Sequence, residues 1–209
     1  TVEFLSETDI TNEYNIRIDS CGFDYDYAWD FQGELAWKFK DGAEADSLRQ
    51  ICQKFLDASD KVKNRRMVYL TNHDQNYNDG GHTLKDFYGD NRYALSVLEF
   101  TLYGMPLIYN GQEIGDPDTL NYFTDAKVKW DRVDHKMLNT VRTLVALHHM
   151  QPALAASAPV ELLETNKANV FAYRRGNVVV VLNMAAAPTD VLINTIAIGN
   201  YQQWLASET

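Results

Sequence analysis

The chain has 209 residues, of which 45% are hydrophobic and 23% are charged, and its formal net charge is -10 at pH 7. These values are those of a globular protein with one large domain or two smaller ones. The negative charge argues against binding to nucleic acid or to anionic membrane surfaces, and no apolar run approaches the roughly 20 residues that span a bilayer. The two cysteines, Cys21 and Cys52, lack metal-site spacing, and Cys52 is expected to be a buried free thiol.

Strands and helices alternate from the first residues onward. Residues 2–7 have the half-apolar pattern of a strand, which also argues against a signal peptide, and residues 22–27 alternate in the same way. A helix is expected over residues 31–39, ended by Asp41-Gly42. The next stretch predicts an amphipathic helix whose apolar positions repeat at helical spacing: Ala45, Leu48, Ile51, Cys52, Phe55 and Leu56.

A polar motif follows the next predicted strand. The strand covers residues 66–70 and leads into Asn72-His73-Asp74-Gln75, after which the chain breaks at Asn78-Asp79-Gly80-Gly81. An α/β barrel presents its catalytic groups at the carboxyl ends of its strands, so a carboxylate in this position faces a pocket. Taken alone, a His-Asp pair is more often solvated surface or a satisfied hydrogen bond. Its meaning therefore depends on the segments around it.

The second half of this region continues the alternation. Helical periodicity resumes with Asp90 as the expected N-cap and with four inward positions, Ala94, Val97, Leu98 and Thr101. Residues 104–111 predict a fully buried strand of the kind found in parallel sheets, and residues 138–149 predict a further helix. Strands and helices repeated in this order predict an α/β fold with parallel strands.

The pattern changes near residue 151. Residues 151–159 form a linker of small residues bounded by prolines, and beyond it the hydrophobic period becomes two. Residues 170–175, the pair Gly176-Asn177 and residues 178–182 predict a β-hairpin with a two-residue turn. Further strands are expected at residues 160–164 and 191–196. We therefore predict two domains, residues 1–153 and residues 154–209, of which the second is all-β.

Three carboxylates, Glu7, Asp24 and Asp74, stand at the ends of predicted strands. Hydrolysis of a glycosidic bond needs carboxyl groups on both sides of the scissile bond. With about 30 residues or more in each βα unit, Glu7 and Asp74 fall two strands apart on one face of a barrel. As an isolated residue, however, Glu7 is more often an exposed carboxylate near a frayed terminus.

Four segments resemble, in order, motifs of the α-amylase family, glycoside hydrolase family 13. Phe4-Leu5-Ser6-Glu7 and residues 23–31 are similar to its fifth and sixth barrel strands, residues 69–75 to its seventh, and residues 104–115 to its eighth. The resemblance extends to the last barrel helix and the small C-terminal domain. It implies an α/β fold, a partial (β/α)8 TIM barrel of strands five to eight followed by a small antiparallel β-sandwich.

The resemblance also implies a role for each matched polar residue. Glu7 becomes the general acid/base, Asp74 the carboxylate that stabilises an oxocarbenium-like transition state, and His73 a hydrogen-bond donor to the same sugar. The implied partner is an α-glucan whose α-1,4-glucosidic bonds are hydrolysed with retention. A trehalose- or sucrose-acting isomerase, a transglycosylase and a non-catalytic carbohydrate-binding chain are the alternatives.

The family's nucleophilic aspartate has no clear match. It stands upstream of the acid in a Gly-x-Arg-x-Asp pattern, whereas Arg17-Ile18-Asp19 follows Glu7 and lacks the glycine. We therefore expect the nucleophile in a longer parent protein, and this chain alone to be inactive. No cofactor is expected in the chain, and calcium in the parent is left open. The open edges of half a barrel predict association into a homo-oligomer.

Overall fold

The structure, a computed structural model, describes residues 2–8, 21–40, 45–58, 64–77, 81–155, 158–194, 196 and 199–205. It contains a four-stranded parallel sheet with helices between its strands, and a separate three-stranded antiparallel sheet later in the chain. The predicted α/β class is therefore confirmed. Within the described residues the parallel sheet is open, as half of a barrel must be.

The parallel sheet brings four short strands into sequence order. They are β1 (Leu5–Ser6), β2 (Tyr25–Tyr27), β3 (Arg66–Val68) and β4 (Met105–Pro106). In their register Ser6 pairs with Asp26, and Met67 pairs with Tyr27 on one side and with Met105 on the other. Because all pairings are parallel, the carboxyl ends of the four strands meet at one edge of the sheet.

Helices fill the connections between these strands. Helices α1 (Trp29–Lys40) and α2 (Ala45–Leu56) lie between β2 and β3 in sequence. Helices α3 (His73–Tyr77), α4 (Leu84–Tyr88) and α5 (Arg92–Thr101) lie between β3 and β4, and α6 (His135–Met150) follows β4. None of the helices in the described ranges is long and apolar enough to cross a membrane.

Two local predictions in this region are wrong. Residues 105–109 are half-buried rather than fully buried, because β4 is an edge strand that pairs only with β3 in the described sheet. Asp90 is not an N-cap: it lies in a 3-10 turn, Gly89–Asn91, and its exposed carboxylate accepts a hydrogen bond from Arg92. Helix α5 therefore begins two residues later, and its buried face centres on Leu95 and Leu98.

Gly104 allows β4 to lie close enough to β3 to pair with it. Its φ is +81°, and a Cβ at this position would lie 2.2 Å from the carbonyl oxygen of Arg66 on β3. Only glycine adopts this conformation without strain and leaves room for the neighbouring backbone. The glycine that opens the predicted strand 104–111 is therefore required by the close approach of β4 to β3.

The antiparallel sheet packs on the helices and shares their core. Its strands are β5 (Glu161–Leu163), β6 (Val170–Arg175) and β7 (Val178–Asn183), with β6 in the centre. Gly176, with φ +52°, opens the predicted two-residue turn. Residues 191–196 were expected to form a strand, but their described part forms a single bridge between Ile193 and Thr165. One hydrophobic cluster joins both parts of the molecule, including Leu48, Cys52, Leu98, Leu144, Phe171, Tyr173 and Leu182.

Candidate active site

The structure brings together the three polar residues singled out by the sequence. Glu7 directly follows β1, and His73 and Asp74 begin α3 a few residues after β3. The His73 Nε2 atom lies 3.5 Å from Glu7 Oε1 and 3.6 Å from Asp74 Oδ1. One oxygen or nitrogen atom from each residue lies within 4.8 Å of the others. These residues, which we call the Glu7–His73–Asp74 cluster, meet at the carboxyl-end edge of the sheet.

The cluster is open to solvent. The side chains of Glu7, His73 and Asp74 are 49%, 36% and 34% exposed. Their mutual electrostatic interactions are therefore screened, and any ion pair between them contributes little to stability. The same exposure leaves the two carboxylates and the imidazole accessible to a ligand that approaches the edge of the sheet.

A buried polar network fixes the chain just before the cluster. The backbone N–H of Leu70 donates to Glu99 Oε1 at 3.1 Å, and the Leu70 carbonyl accepts from the Tyr88 hydroxyl at 2.9 Å. The other oxygen of Glu99 accepts from Gln112 Nε2 at 2.8 Å, and Gln112 Oε1 accepts from the N–H of Tyr109 at 3.1 Å. The network thus ties the segment that carries His73 to the loop that follows β4.

Asn72 starts the helix that presents the cluster. Its buried Oδ1 accepts from the backbone N–H of Gln75 at 2.9 Å, the bond that an N-cap residue makes. His73 and Asp74 consequently occupy the first turn of α3, where their side chains face the end of β1. The asparagine of the Asn72-His73-Asp74-Gln75 motif therefore has a structural role, as the residue that caps α3.

Two tyrosines near the cluster were not predicted as site residues. The Tyr122 hydroxyl donates to Asp74 Oδ1 at 3.1 Å, and its ring meets that of His73 edge-on at 5.4 Å. Tyr27 ends β2, between the strands that carry Glu7 and Asp74; burial, and then the negative charges of those two residues, raise its pKa. Tyr27 therefore stays neutral beside the two carboxylates.

Of these two tyrosines, only Tyr27 could have been predicted near the cluster from the sequence. Tyr27 lies at the end of a strand-like pattern, so its place at the sheet edge follows from the same reasoning as that for Glu7. Tyr122 lies in a connection without hydrophobic periodicity, and nothing in the spacing of residues relates it to Asp74. Only the folded path of the chain brings the two together.

Asp24, the third carboxylate expected at a strand end, lies elsewhere. It precedes β2 rather than following it, and its Oδ2 accepts from the backbone N–H of Phe4 at 2.8 Å. The strand begins at Tyr25, so Asp24 belongs to the opposite edge of the sheet and has a structural role there. Arg17-Ile18-Asp19, the weak match to the nucleophile pattern, falls outside the described residues.

A cavity of about 440 Å³ adjoins the segment that carries the cluster. It is lined by Thr71 and Asn76, which flank His73 and Asp74 in sequence, and by Tyr109, Asn110 and Gln112 from the loop after β4. The lining also includes charged side chains, Lys85, Asp86, Arg92, Asp116 and Asp118, and the cluster residues themselves do not line it. Among the described residues, the cluster itself is the one group of three His, Cys, Asp or Glu side chains close enough to share a metal ion.

Comparison with known proteins agrees with the fold and the motifs. Alpha-amylase MalA of Haloarcula japonica is 33% identical over 134 residues, which cover 60% of this chain. A noncanonic maltogenic alpha-amylase, AmyB from Thermotoga neapolitana, superposes with a TM-score of 0.68 and 19% identity, covering 88% of this chain. The chain is therefore similar in sequence to an α-amylase and shares the fold of α-amylases of known structure. No protein-family model matches it.

The chain spans less than half of the length of these two proteins. It covers 19% of the length of MalA and 42% of the AmyB chain. Another alpha-amylase, from H. orenii, superposes with a TM-score of 0.67 and 19% identity over 88% of this chain and 43% of its own. The structural likeness therefore establishes the fold of the part that is present.

Proposed function

We propose that this chain supplies the acid/base half of the active site of a retaining glycoside hydrolase that cleaves α-1,4-glucosidic bonds in starch or maltodextrin. Glu7 acts as the general acid/base, Asp74 stabilises the transition state, and His73 donates a hydrogen bond to the sugar between them. The convergence of these three side chains at the carboxyl-end edge of the sheet supports the proposal most strongly.

The chemistry assigns each group a distinct task. Glu7 protonates the glycosidic oxygen as the bond to the sugar breaks, and as a carboxylate it later accepts a proton from the attacking water. The sugar gains positive charge in the transition state, and the fixed negative charge of Asp74 stabilises that charge. His73 lies within 3.6 Å of both carboxylates, so a sugar hydroxyl that reaches it also lies beside both of them.

The nucleophile belongs, in this proposal, to residues outside the described ranges, and we favour an upstream strand of a longer parent protein. A retaining mechanism needs a second carboxyl group about 5–5.5 Å from the acid, on the other face of the sugar. Glu7 and Asp74 are the two carboxylates that the described residues bring into the cluster, and the family resemblance gives Asp74 the stabilising role rather than attack. We therefore expect the isolated chain to bind maltooligosaccharides weakly and to release no product.

Amide substitutions in the parent protein test the assignment. Glu7→Gln keeps the shape of the side chain but removes the proton donor, and general acid/base catalysis contributes about 10²–10⁴-fold or more to such a rate. We expect turnover of maltooligosaccharides to fall to background in Glu7→Gln and by several orders of magnitude in Asp74→Asn. Glu3→Gln is the matched control, because Glu3 is exposed on the same segment and lies outside the cluster.

Product analysis distinguishes the proposal from its alternatives. Liberation of reducing sugar from α-1,4-linked maltooligosaccharides supports hydrolysis, whereas conversion without net hydrolysis supports an isomerase or a transglycosylase. Normal rates in Glu7→Gln and Asp74→Asn would remove the proposed roles. Binding of maltotriose by a parent protein that never turns it over would identify a carbohydrate-binding protein instead.

A further inference from the structure

A short loop lies against the Glu7–His73–Asp74 cluster and presents two aromatic rings. This loop, residues 120–124, places the Tyr122 hydroxyl 3.1 Å from Asp74 Oδ1. The Tyr122 ring packs edge-on against His73 at 5.4 Å and against Tyr77 at 5.3 Å, and lies 4.5 Å from the ring of Phe123. Phe123 is 77% exposed, so its ring is open to a ligand.

The 120–124 loop is anchored to α3 at its first residue and contains a turn of its own. The backbone N–H of Leu120 donates to Asn76 Oδ1 at 2.6 Å, and Asn76 is a buried residue of α3, the helix that carries Asp74. Asn121 forms a turn within the loop rather than a second anchor: its Oδ1 accepts from the N–H of Phe123 at 2.9 Å, and its carbonyl accepts from the N–H of Thr124 at 3.1 Å. The bonds from Leu120 to Asn76 and from Tyr122 to Asp74 therefore both tie the loop to α3.

We propose that Tyr122 is a positioning residue for Asp74, and that the neighbouring ring of Phe123 packs against a sugar of the bound α-glucan. This inference rests on the proposed function. The Tyr122 hydroxyl occupies one acceptor position of Oδ1 and so restricts the rotation of the carboxylate about its last side-chain bond. The Asp74 carboxylate is thereby kept in one orientation beside His73 and Glu7, where a bound sugar would lie.

The two aromatic residues have separable effects. Orientation of Asp74 matters most in the transition state, when charge develops on the sugar, so loss of the Tyr122 hydroxyl lowers kcat. The Phe123 ring contacts a sugar in the ground state and in the transition state alike. Its loss removes uniform binding, so it raises KM and leaves kcat unchanged.

Three single variants of the parent protein test the inference by steady-state kinetics on maltooligosaccharides. Tyr122→Phe removes one hydroxyl from the loop, and we expect kcat to fall about tenfold, as for one partly exposed hydrogen bond to a charged group. Phe123→Ala should raise KM severalfold with little change in kcat. Tyr77→Phe is the matched control, since the Tyr77 ring belongs to the same aromatic group but its hydroxyl donates no hydrogen bond to the cluster in the described structure.

The outcomes separate this inference from the function on which it rests. A wild-type protein without activity on α-glucans would overturn both. An active wild type with equal kcat in Tyr122→Phe and Tyr77→Phe would overturn the positioning role alone. Thermal unfolding of each variant accompanies the kinetics, because a loss of kcat that merely followed a loss of folded protein would also count against Tyr122. A Tyr122→Phe variant that raised KM and left kcat unchanged would count against it as well.

Discussion

Replacing Arg175 with methionine tests how the antiparallel sheet is held against the helices. Arg175, on β6, is only 1% exposed, and its guanidinium donates to the carbonyl oxygens of Thr101 and Leu154 at 3.3 and 3.2 Å. It also donates to two carbonyls of the segment that leads to β5, and it lies 5.0 Å from the ring centre of Tyr103. One side chain thus joins the C-terminal sheet to the end of α5.

The size of the effect follows from the two buried bonds. Methionine keeps most of the length of the side chain but donates no hydrogen bond. A hydrogen bond to a charged group contributes about 1.5–3 kcal/mol, and a buried acceptor left without a partner costs about 1–3 kcal/mol. Because the carbonyls of Thr101 and Leu154 are the more deeply buried acceptors, we expect Arg175→Met to lower the free energy of unfolding by about 3–5 kcal/mol.

Urea unfolding followed by circular dichroism measures this loss, with the adjacent arginine as the control. Arg174 pairs with Glu161 at the surface, where its side chain is 34% exposed, and exposed pairs contribute about 1 kcal/mol or less. Arg174→Met should therefore leave the midpoint nearly unchanged. If Arg175→Met and Arg174→Met cost the same, the carbonyl contacts of Arg175 do not hold the sheet in place.

Two further predictions concern stability and association. Burial raises the pKa of the Glu99 carboxyl well above its usual range, so the folded chain holds this proton more tightly than the unfolded chain. The protonated Glu99 carboxyl therefore stabilises the folded chain at low pH, and this stabilisation is lost as the pH rises from about 4.5 towards the folded pKa. Over that range, the urea concentration at the unfolding midpoint should fall less for Glu99→Gln than for the wild type. Because β1 and β4 are the edge strands of the described parallel sheet, we expect the chain to associate with itself. Light scattering during size-exclusion chromatography measures the mass in solution, and a monomer at all concentrations would contradict this prediction.

The order of elements and the place of the cluster were predictable because both depend on local patterns. Alternation of strands and helices predicts a parallel sheet, and a parallel sheet brings its carboxyl ends to one edge. The spacing of Glu7 and Asp74 along the chain placed both at this edge, and the resemblance to the α-amylase family made the pair a candidate site. The buried thiol of Cys52 followed in the same way from the spacing of apolar residues on α2.

The sequence predictions fail where contacts between residues distant in the sequence determine the structure. The pattern around Asp24 does not tell whether pairing begins before or after it, and the structure begins β2 at Tyr25. The apolar run 104–111 is typical of a central strand, yet β4 has one described neighbour and stays half-buried. Tyr122 reaches Asp74 through a turn set by Asn121 and a bond to Asn76, and neither contact leaves a periodic signal.

The cluster depends on β2, although β2 contributes neither of its carboxylates. Neighbouring strands lie about 4.8 Å apart, so the ends of β1 and β3 are separated by roughly twice that distance. Oxygen atoms of Glu7 and Asp74 nevertheless lie within 4.8 Å of each other, although β2 separates their strands. Tyr27 is the last residue of β2, and the charges of both carboxylates raise its pKa. A slip in the register of β2 would therefore displace Glu7 from Asp74 without altering either residue, and the spacing between the two carboxylates depends on the intervening strand.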